Sequence, residues 1–319
     1  MAKLGCLPLV GFLALLSFFS CAICATFTII NNCGYTVWPG VLSGAGTAAL
    51  ATSGFSLESG QSLAVHVPSS WSGRFWGRTH CSTDPSTGIF TCDTGDCGSG
   101  RLDCSGSGPA PPATLAEFTL NGSGGMDFFD VSLVDGYNLP VLVAPQNLGN
   151  GGGNCTATGC VVDLNGICPS GLQVTLSDSG GQSVACRSAC DAFGTPEYCC
   201  SGEYGNPNTC KPSAYSLFFK NSCPRAYSYA FDDSTSTFTC PTGVNYLITF
   251  CPSTTSQKAE ETHPQGGASL PLINETMVFL GPIASGGPTR ARLYAFAKVA
   301  ATAGGLATLW PSFRQHLRF

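Results

Sequence analysis

Charged side chains are scarce in this sequence, because Asp, Glu, Lys and Arg together make up only 10% of its 319 residues. Between residues 25 and 251 there are 7 basic and 16 acidic side chains, which gives this segment a net charge of −9. An acidic surface repels nucleic acid and anionic lipid. We therefore expect no nucleic-acid partner and no strong membrane affinity of this segment, whereas a neutral polysaccharide is electrostatically compatible with it.

Histidine is also rare, and its pattern argues against a metal centre. There is no HExxH motif and no other spacing typical of paired metal ligands among His66, His80, His263 and His316. The sequence likewise has no Walker motif and no dinucleotide-binding glycine motif. We expect no metal or nucleotide cofactor, and we interpret His66 and His80 as structural residues.

Long hydrophobic runs are missing outside the amino terminus. There an apolar run, residues 4–19, follows Lys3 and leads to the small residues Ala22, Cys24 and Ala25. This order is typical of a secretory signal peptide, and we predict that residues 1–24 are removed by cleavage after Cys24. A transmembrane anchor is the alternative, but the run is short for a bilayer span.

Cysteine, by contrast, is abundant. The chain has 19 cysteines, of which three lie in the predicted signal peptide, so 16 are left in the segment that follows. An even number in a secreted chain allows all of them to form disulfides, although the sequence alone does not give the pairs. The adjacent Cys199 and Cys200 are unsuited to bridging each other, so each must pair elsewhere.

Residues 88–104 combine three cysteines with four glycines that suit tight turns with positive backbone angles. Asp93 and Asp96 in this stretch can accept hydrogen bonds from neighbouring amides, as in Asx turns. A zinc knuckle is the competing interpretation, but the stretch has no CxxC pair and no nearby pair of histidines. We therefore interpret its cysteines as disulfide cysteines.

Alternation of apolar with polar or small residues predicts antiparallel β-structure in the first half of the chain. The pattern is carried by Phe27, Ile29, Leu63, Val65 and Val67. Residues 114–120 and 126–134 are predicted to form two further strands joined by a glycine-rich turn, and residues 237–240 and 246–251 another pair. The two ends of this segment are thus expected to meet in one sheet.

Residues 155–210 show no helical or strand period and contain eight cysteines, which predicts a loop domain held by disulfides with little regular core. A helix is predicted at residues 213–222, because Ser213 suits a helix start. Leu217 and Phe218 are expected to face inward.

The composition shifts after Cys251 toward Ser, Thr, Gln and Glu, and residues 252–319 are predicted to be a disordered or processed tail. A lipid-anchor signal is the alternative, with small residues at 284–286. Its spacer is short, however, and the chain ends in a segment that contains Arg314 and Arg318. We therefore place the boundary of the folded domain at residues 25–251.

Residues 88–104 closely resemble the signature of the thaumatin-like proteins, a plant defence family. The signature positions are filled by Gly88, Phe90, Cys92, Thr94, Gly95, Asp96, Cys97, Gly100 and Cys104. Further family-like runs occur at residues 114–117, 198–200 and 226–229, so the resemblance covers about residues 25–251. It implies a mainly β fold, in which a β-sandwich is joined to a disulfide-rich loop and helix domain and to a small hairpin domain.

The resemblance also implies a partner for each of the 16 cysteines. The implied bridges are Cys33 with Cys251, Cys81 with Cys92, Cys97 with Cys104, Cys155 with Cys240, Cys160 with Cys223, Cys168 with Cys186, Cys190 with Cys199, and Cys200 with Cys210. No cysteine is left over, so we expect the folded protein to resist heat and proteases.

Acidic side chains within apolar strand sequence are costly to bury unless they are hydrated or paired, and Glu117 and Asp130 are two such cases. The resemblance implies that they belong to an acidic cleft between the sandwich and the loop domain, lined by Arg74, Glu117, Asp130, Asp135 and Asp232. Asp135 can share a face with Asp130 only if the strand ends before it, which the Asp-Gly turn allows.

Two of these assignments have competitors. Asp233 takes the place of Asp232 if the alignment shifts by one residue, and Arg78 competes with Arg74. Aromatic side chains near the cleft are expected to contact a sugar, and the residues considered are Phe90, Phe129 and Tyr137.

Two functions follow from such a cleft. In the first, it binds β-1,3-glucan or another cell-wall polysaccharide of fungi, because carboxylates accept hydrogen bonds from sugar hydroxyls, and the protein is antifungal. In the second, it is a weak endo-β-1,3-glucanase, with Glu117 as general acid and an aspartate, Asp135 in the first place, as base or nucleophile. Inhibition of foreign digestive enzymes, known for some relatives, is a third alternative without a recognisable motif. We favour binding, because hydrolysis needs a tuned carboxyl pair that the sequence does not give.

Secretion has two further consequences for the chain. Sequons make Asn121 and Asn274 candidate glycosylation sites, whereas Asn154 is doubtful because Cys155 lies inside its sequon. We expect a monomer in the apoplast or cell wall, with membrane anchoring or vacuolar sorting by the tail as alternatives.

We predict that the folded unit ends shortly after Cys251, because nothing beyond it has strand or helix signals of comparable strength. A chain that stops at Ser253 should therefore keep its melting temperature, as measured by calorimetry. A loss of stability as large as that from removing one disulfide, about 2–4 kcal/mol, would place part of the tail within the fold.

Overall fold

The computed structural model describes residues 24–146, 154–176 and 180–253. Residues 1–23 of the predicted signal peptide, the tail after Ser253 and the sequon at Asn274 lie outside the described residues. The strands are β1 Cys24–Asn31, β2 Trp38–Ser43, β3 Ser62–Pro68, β4 Ser72–Thr83, β5 Phe90–Thr94, β6 Leu115–Thr119, β7 Met126–Ser132, β8 Val141–Gln146, β9 Thr158–Cys160, β10 Gln173–Thr175, β11 Ser183–Cys186, β12 Phe238–Pro241 and β13 Asn245–Phe250. The helices are α1 Ala189–Phe193, α2 Pro196–Cys199, α3 Ala214–Ser222 and α4 Asp233–Ser236, with 3₁₀ turns at Ser123–Gly125, Asn165–Ile167 and Gly202–Tyr204.

Two large sheets organise the described strands. One has five strands in the order β3-β1-β13-β8-β9, and the other has six, in the order β12-β7-β6-β4-β2 with β5 paired to β4. β1 and β13 are parallel, and the other neighbours in these sheets are antiparallel. The predicted mainly β fold is confirmed, and the first and last described strands are neighbours.

Aromatic side chains fill the space between the two sheets. The ring of Phe27 in β1 lies 5.5 Å from that of Phe75 in β4 and 4.6 Å from that of Phe118 in β6. Tyr246 of β13 likewise lies 5.3 Å from Phe129 of β7. All five rings are buried, and burial of each such side chain stabilises the fold by about 1.5–3 kcal/mol. The residues next to these aromatics in β4, β6 and β7 therefore face the other side of the six-stranded sheet.

The predicted strands near residues 237–240 and 246–251 are present, but their predicted pairing with each other is wrong. β12 pairs with β7 in the six-stranded sheet, whereas β13 lies between β1 and β8 in the five-stranded sheet. The short connection between them crosses from one sheet to the other and includes Gly243 at φ +97°. Apolar alternation indicates which side of a strand is buried but not which strand is its partner, so the connection resembles a hairpin in the sequence.

The described part of residues 155–210 forms only short elements, as the predicted loop domain requires. The helix that follows, α3, begins after Ser213, whose hydroxyl accepts a hydrogen bond from the N–H of Ser216 at 3.1 Å. Leu217 is 45% exposed, so the prediction that it faces inward is wrong. Phe218 is partly buried against the core, in the direction predicted, and Ser216 and Phe219, three residues apart, are the buried side chains of α3. Among the described residues, no helix is long and apolar enough to cross a membrane.

Eight disulfides hold the fold, and they are the pairs that the resemblance implies. Cys33–Cys251 joins the chain just after β1 to the chain just after β13, across a sequence separation of 218 residues. A loop of this size is worth about 5 kcal/mol in the chain-entropy model. Five further bridges have a cysteine in the loop domain, where they hold short elements that bury few apolar side chains.

We predict that the folded protein without residues 1–24 has no free thiol, because all 16 of its cysteines are paired. Alkylation under denaturing, non-reducing conditions should modify no cysteine in the mass spectrum. The same treatment after reduction is the positive control and should modify all of them. A reproducible stoichiometric thiol, or zinc that copurifies with the protein, would contradict the disulfide assignment.

Candidate functional site

Three of the five predicted cleft residues form a row across the six-stranded sheet. Arg74 in β4 is the register partner of Glu117 in β6, and Glu117 is in turn the partner of Asp130 in β7. Side chains at directly opposed positions lie on the same face of a sheet, with Cβ atoms about 4.5–5.5 Å apart. We call Arg74, Glu117 and Asp130 the charged row.

The charged row lies on the face of the sheet that is turned away from the sandwich core. Each member is adjacent in sequence to a core aromatic residue, namely Phe75, Phe118 or Phe129. Arg74 and Glu117 are partly exposed, whereas Asp130 is 7% exposed. Two carboxylates side by side repel each other, and the positive charge beside Glu117 offsets part of that cost. The row thus presents two acceptor groups with a donor at one end.

Tyr227 lies beside the Asp130 end of the charged row. Its N–H donates to the carbonyl of Val131 and its carbonyl accepts from the N–H of Leu133, both at 2.8 Å. Its hydroxyl donates to Oδ1 of Asp233 at 2.7 Å. Burial, and then the charge of Asp130, raise the pKa of Tyr227 well above its ordinary value. The hydroxyl therefore stays protonated at neutral pH. The sequence patterns do not indicate Tyr227 as a site residue.

Asp135 follows the end of β7 at Ser132 and lies in a turn. Because the strand has ended, the alternation of side chains along β7 does not force Asp135 onto the face opposite Asp130. Gly136 follows at φ +88°, and a Cβ atom there would lie 2.7 Å from Cβ of Pro112. Only glycine fits this turn, which holds the partly exposed Asp135 in place.

Asp232 is surrounded by partners from the protein itself. It is 8% exposed, and its Oδ2 lies 2.9 Å from Nζ of Lys220. The same oxygen accepts hydrogen bonds from the N–H and hydroxyl of Ser228 at 3.1 and 3.0 Å, and Oδ1 accepts from the hydroxyl of Thr235 at 3.2 Å. Most of its acceptor capacity is thus used within the fold. Unlike the charged row, Asp232 lies on no paired strand, and its place in the cleft stays a prediction.

Most of the chain matches a known protein family, since residues 31–252 match the Thaumatin family. The chain belongs to the thaumatin family. Thaumatin-like protein 1 of Arabidopsis thaliana is 57% identical over 235 residues, which cover 72% of this chain and 86% of that protein. The expected family membership is therefore confirmed.

Two other relatives of this thaumatin-family chain differ in name and length. A protein of Prunus avium named glucan endo-1,3-beta-glucosidase is 54% identical over 228 residues, which cover 72% of this chain and 91% of that protein. A PR5-like receptor kinase of Arabidopsis thaliana is 55% identical over 240 residues, which cover 74% of this chain but 36% of the kinase. The chain thus corresponds to about a third of the length of the receptor kinase.

The two arginines of β4 have different surroundings in this member of the thaumatin family. Arg78 is fully buried, and it donates through Nε to the carbonyl of Trp38 at 2.9 Å and through Nη2 to that of Leu102 at 2.6 Å. Burial lowers its pKa to about 10. Arg78 therefore ties β4 to the loop of residues 97–104 and does not compete with Arg74 for a ligand.

The predicted sugar-contacting aromatics need correction. Phe129 and Tyr137 are fully buried, because one packs in the sandwich core and the other donates its hydroxyl to the carbonyl of Val162 at 3.1 Å. Phe90 is partly buried, with its ring 6.3 Å from that of Trp38. Phe129 and Tyr137 therefore cannot contact a sugar. Strand alternation turns Phe129 away from the face of the charged row, and Tyr137 lies after β7, where it forms an isolated bridge with Cys186.

The two described sequons differ in how their side chains are used. Asn154 donates from Nδ2 to the carbonyl of Thr237 at 2.9 Å, so its amide nitrogen is engaged. Asn121 is exposed in the turn between β6 and β7. Glycosylation of Asn121 stays a prediction.

Replacement of Arg78 by Met should lower the melting temperature, because it leaves buried carbonyls without donors. Each unsatisfied buried acceptor costs about 1–3 kcal/mol, and for a domain of this size the melting point should fall by about 5–15 °C. Arg74→Met is the matched control, on the same strand and face but partly exposed, and should change the melting temperature much less. Equal shifts in a thermal unfolding scan would contradict the structural assignment of Arg78.

Proposed function

We propose that the protein is a secreted plant defence protein that binds β-1,3-glucan of fungal cell walls, with the charged row at the centre of its binding site. The register that sets Arg74, Glu117 and Asp130 side by side on the outer face of the six-stranded sheet carries this proposal. Membership of the thaumatin family supports a role in defence.

The chemistry of the charged row suits a neutral chain of sugars. Carboxylates accept hydrogen bonds from glucose hydroxyls, a guanidinium donates to them, and each charge-assisted bond contributes about 1.5–3 kcal/mol. Asp135, in the turn after β7, adds a further acceptor near the row. Asp232 contributes indirectly, because its ion pair with Lys220 and its hydrogen bonds from Ser228 stabilise this part of the chain.

Weak endo-β-1,3-glucanase activity is the second candidate, and the name of the Prunus avium relative favours it. In this reaction Glu117 donates a proton to the leaving oxygen, and Asp130 or Asp135 acts as base or nucleophile. The direct register of Glu117 with Asp130 favours the shorter carboxyl separation, about 5–5.5 Å, that retaining glycosidases use.

Glu117→Gln, Asp130→Asn and Asp135→Asn test both candidates. Each removes a charge-assisted acceptor, so each should weaken binding to insoluble β-1,3-glucan by about tenfold or more in a pull-down assay. If the protein also hydrolyses glucan, release of reducing sugar should fall by about two to four orders of magnitude in Glu117→Gln, because the transferable proton is lost.

Two controls separate a loss of the site from a loss of charge or fold. Glu58→Gln removes an exposed carboxylate from the turn before β3 and should bind as the wild type does. The melting temperature of each variant reports whether the nearly buried Asp130 is needed for folding. Unchanged pull-down in all three site variants, with no hydrolysis by the wild type, would overturn both candidates.

A further inference from the structure

A small pocket of about 30 Å³ lies in the loop domain beside the turn that carries Asp135. Its walls come from Val134, from the starts of α1 and α3, and from Tyr198 of α2. Val134 directly precedes Asp135, and Ser228 in the same wall donates to Asp232 at 3.0 Å. The pocket therefore adjoins the proposed glucan site.

Tyr198 links this pocket to two further aromatic rings of the loop domain. The ring centroids of Phe193 and Tyr215 are 5.2 Å apart, and that of Tyr198 lies 5.6 Å from Phe193 and 5.9 Å from Tyr215. Such spacings are typical of aromatic pairs that pack against each other. Phe193 is 42% exposed, and the two tyrosines are partly exposed. We call Phe193, Tyr198 and Tyr215 the aromatic cluster.

The size of the aromatic cluster favours a sugar ring over a protein as its occupant. A stable protein interface covers about 800 Å² on each partner, whereas one aromatic side chain presents about 150–250 Å² in total. All three side chains here are less than half exposed, so the accessible area is far below that of a protein interface. A β-linked glucose ring, in contrast, has a flat face of C–H groups about as large as one aromatic ring.

The polar side chains around the pocket also suit a carbohydrate. Glu197 and Lys211 line the same pocket as Tyr198, and Lys211 donates from Nζ to the carbonyl of Pro207 at 3.0 Å. A glucose ring that stacks on an aromatic face keeps its hydroxyls in the plane of the ring, where such groups can reach them.

We propose that the aromatic cluster is a second carbohydrate subsite, at which a β-1,3-glucan chain held at the charged row continues past the pocket and stacks a glucose ring on Phe193. This inference rests on the proposed function, because it concerns the remote part of the same ligand. A short chain reaches only the charged row, whereas a long chain reaches both surfaces. The affinity of the wild type should therefore rise with chain length.

The test measures binding of two linear ligands by titration calorimetry: laminaritriose and a β-1,3-glucan chain of about ten glucose units, long enough to link separate contact surfaces. The wild type should bind the longer chain more tightly. Phe193→Ala should lose about tenfold in affinity for the longer chain and bind laminaritriose as the wild type does.

Three further variants isolate the role of the ring. Phe193→Tyr keeps an aromatic face and should bind both ligands as the wild type does, whereas Phe193→Leu keeps apolar area without a ring and should resemble Phe193→Ala. Ile89→Ala removes a side chain that is 48% exposed outside the loop domain and should change neither affinity. Equal melting temperatures of the variants and the wild type would exclude a loss of fold as the cause of a weaker affinity.

The outcomes distinguish this inference from the function on which it rests. If laminaritriose binds and Glu117→Gln weakens it, but Phe193→Ala leaves the affinity for the longer chain unchanged, the second subsite is overturned and the charged row stands. If Phe193→Leu binds the longer chain as tightly as the wild type, ring stacking is overturned. If neither ligand binds the wild type, both proposals are overturned.

Discussion

Alternation of side chains along β4, β6 and β7 is the constraint on which the rest of this structure depends. The same three strands supply the aromatic core on one face and the charged row on the other, so the position of Glu117 follows from the burial of Phe118. A slip of one residue in either register would bury carboxylates and expose phenylalanines. The hydrophobic energy of the sandwich therefore fixes the order of charges across the sheet, and the charged row needs no loop to assemble it.

The loop domain has a different source of rigidity. Its elements are short and bury few large side chains, and five disulfides hold them in place of a continuous core. Covalent links fix the backbone without requiring aromatic rings to point inward. Phe193 and Tyr198 lie between the bridged Cys190 and Cys199 in the sequence and can therefore remain partly exposed. A small domain stabilised by a hydrophobic core would need to bury such side chains.

The sequence predicts those features of the fold and site that follow from local pattern, and it misses those that depend on distant partners. Strand faces follow from alternation and the start of α3 from Ser213, whereas the sheet that receives β12 depends on residues more than a hundred positions away. Arg74 and Arg78 share one face of β4, so their spacing could not separate them. Contacts with residues 97–104, among them the carbonyl of Leu102, bury Arg78. The surroundings of Asp232 were equally hidden from the sequence, because its ion-pair partner Lys220 belongs to another element, α3.

The parallel pairing of β1 with β13, closed by Cys33–Cys251, determines how the fold carries mechanical tension. Cys24 lies at the opposite end of this strand pair from Phe250, because the two strands run in the same direction. A pull between these two ends follows β1 to Cys33, crosses the sulfur bridge and leaves at Cys251. Everything between the two cysteines, including the charged row and the aromatic cluster, lies off that covalent path. A force applied at these two ends would therefore leave the charged row and the aromatic cluster unstretched.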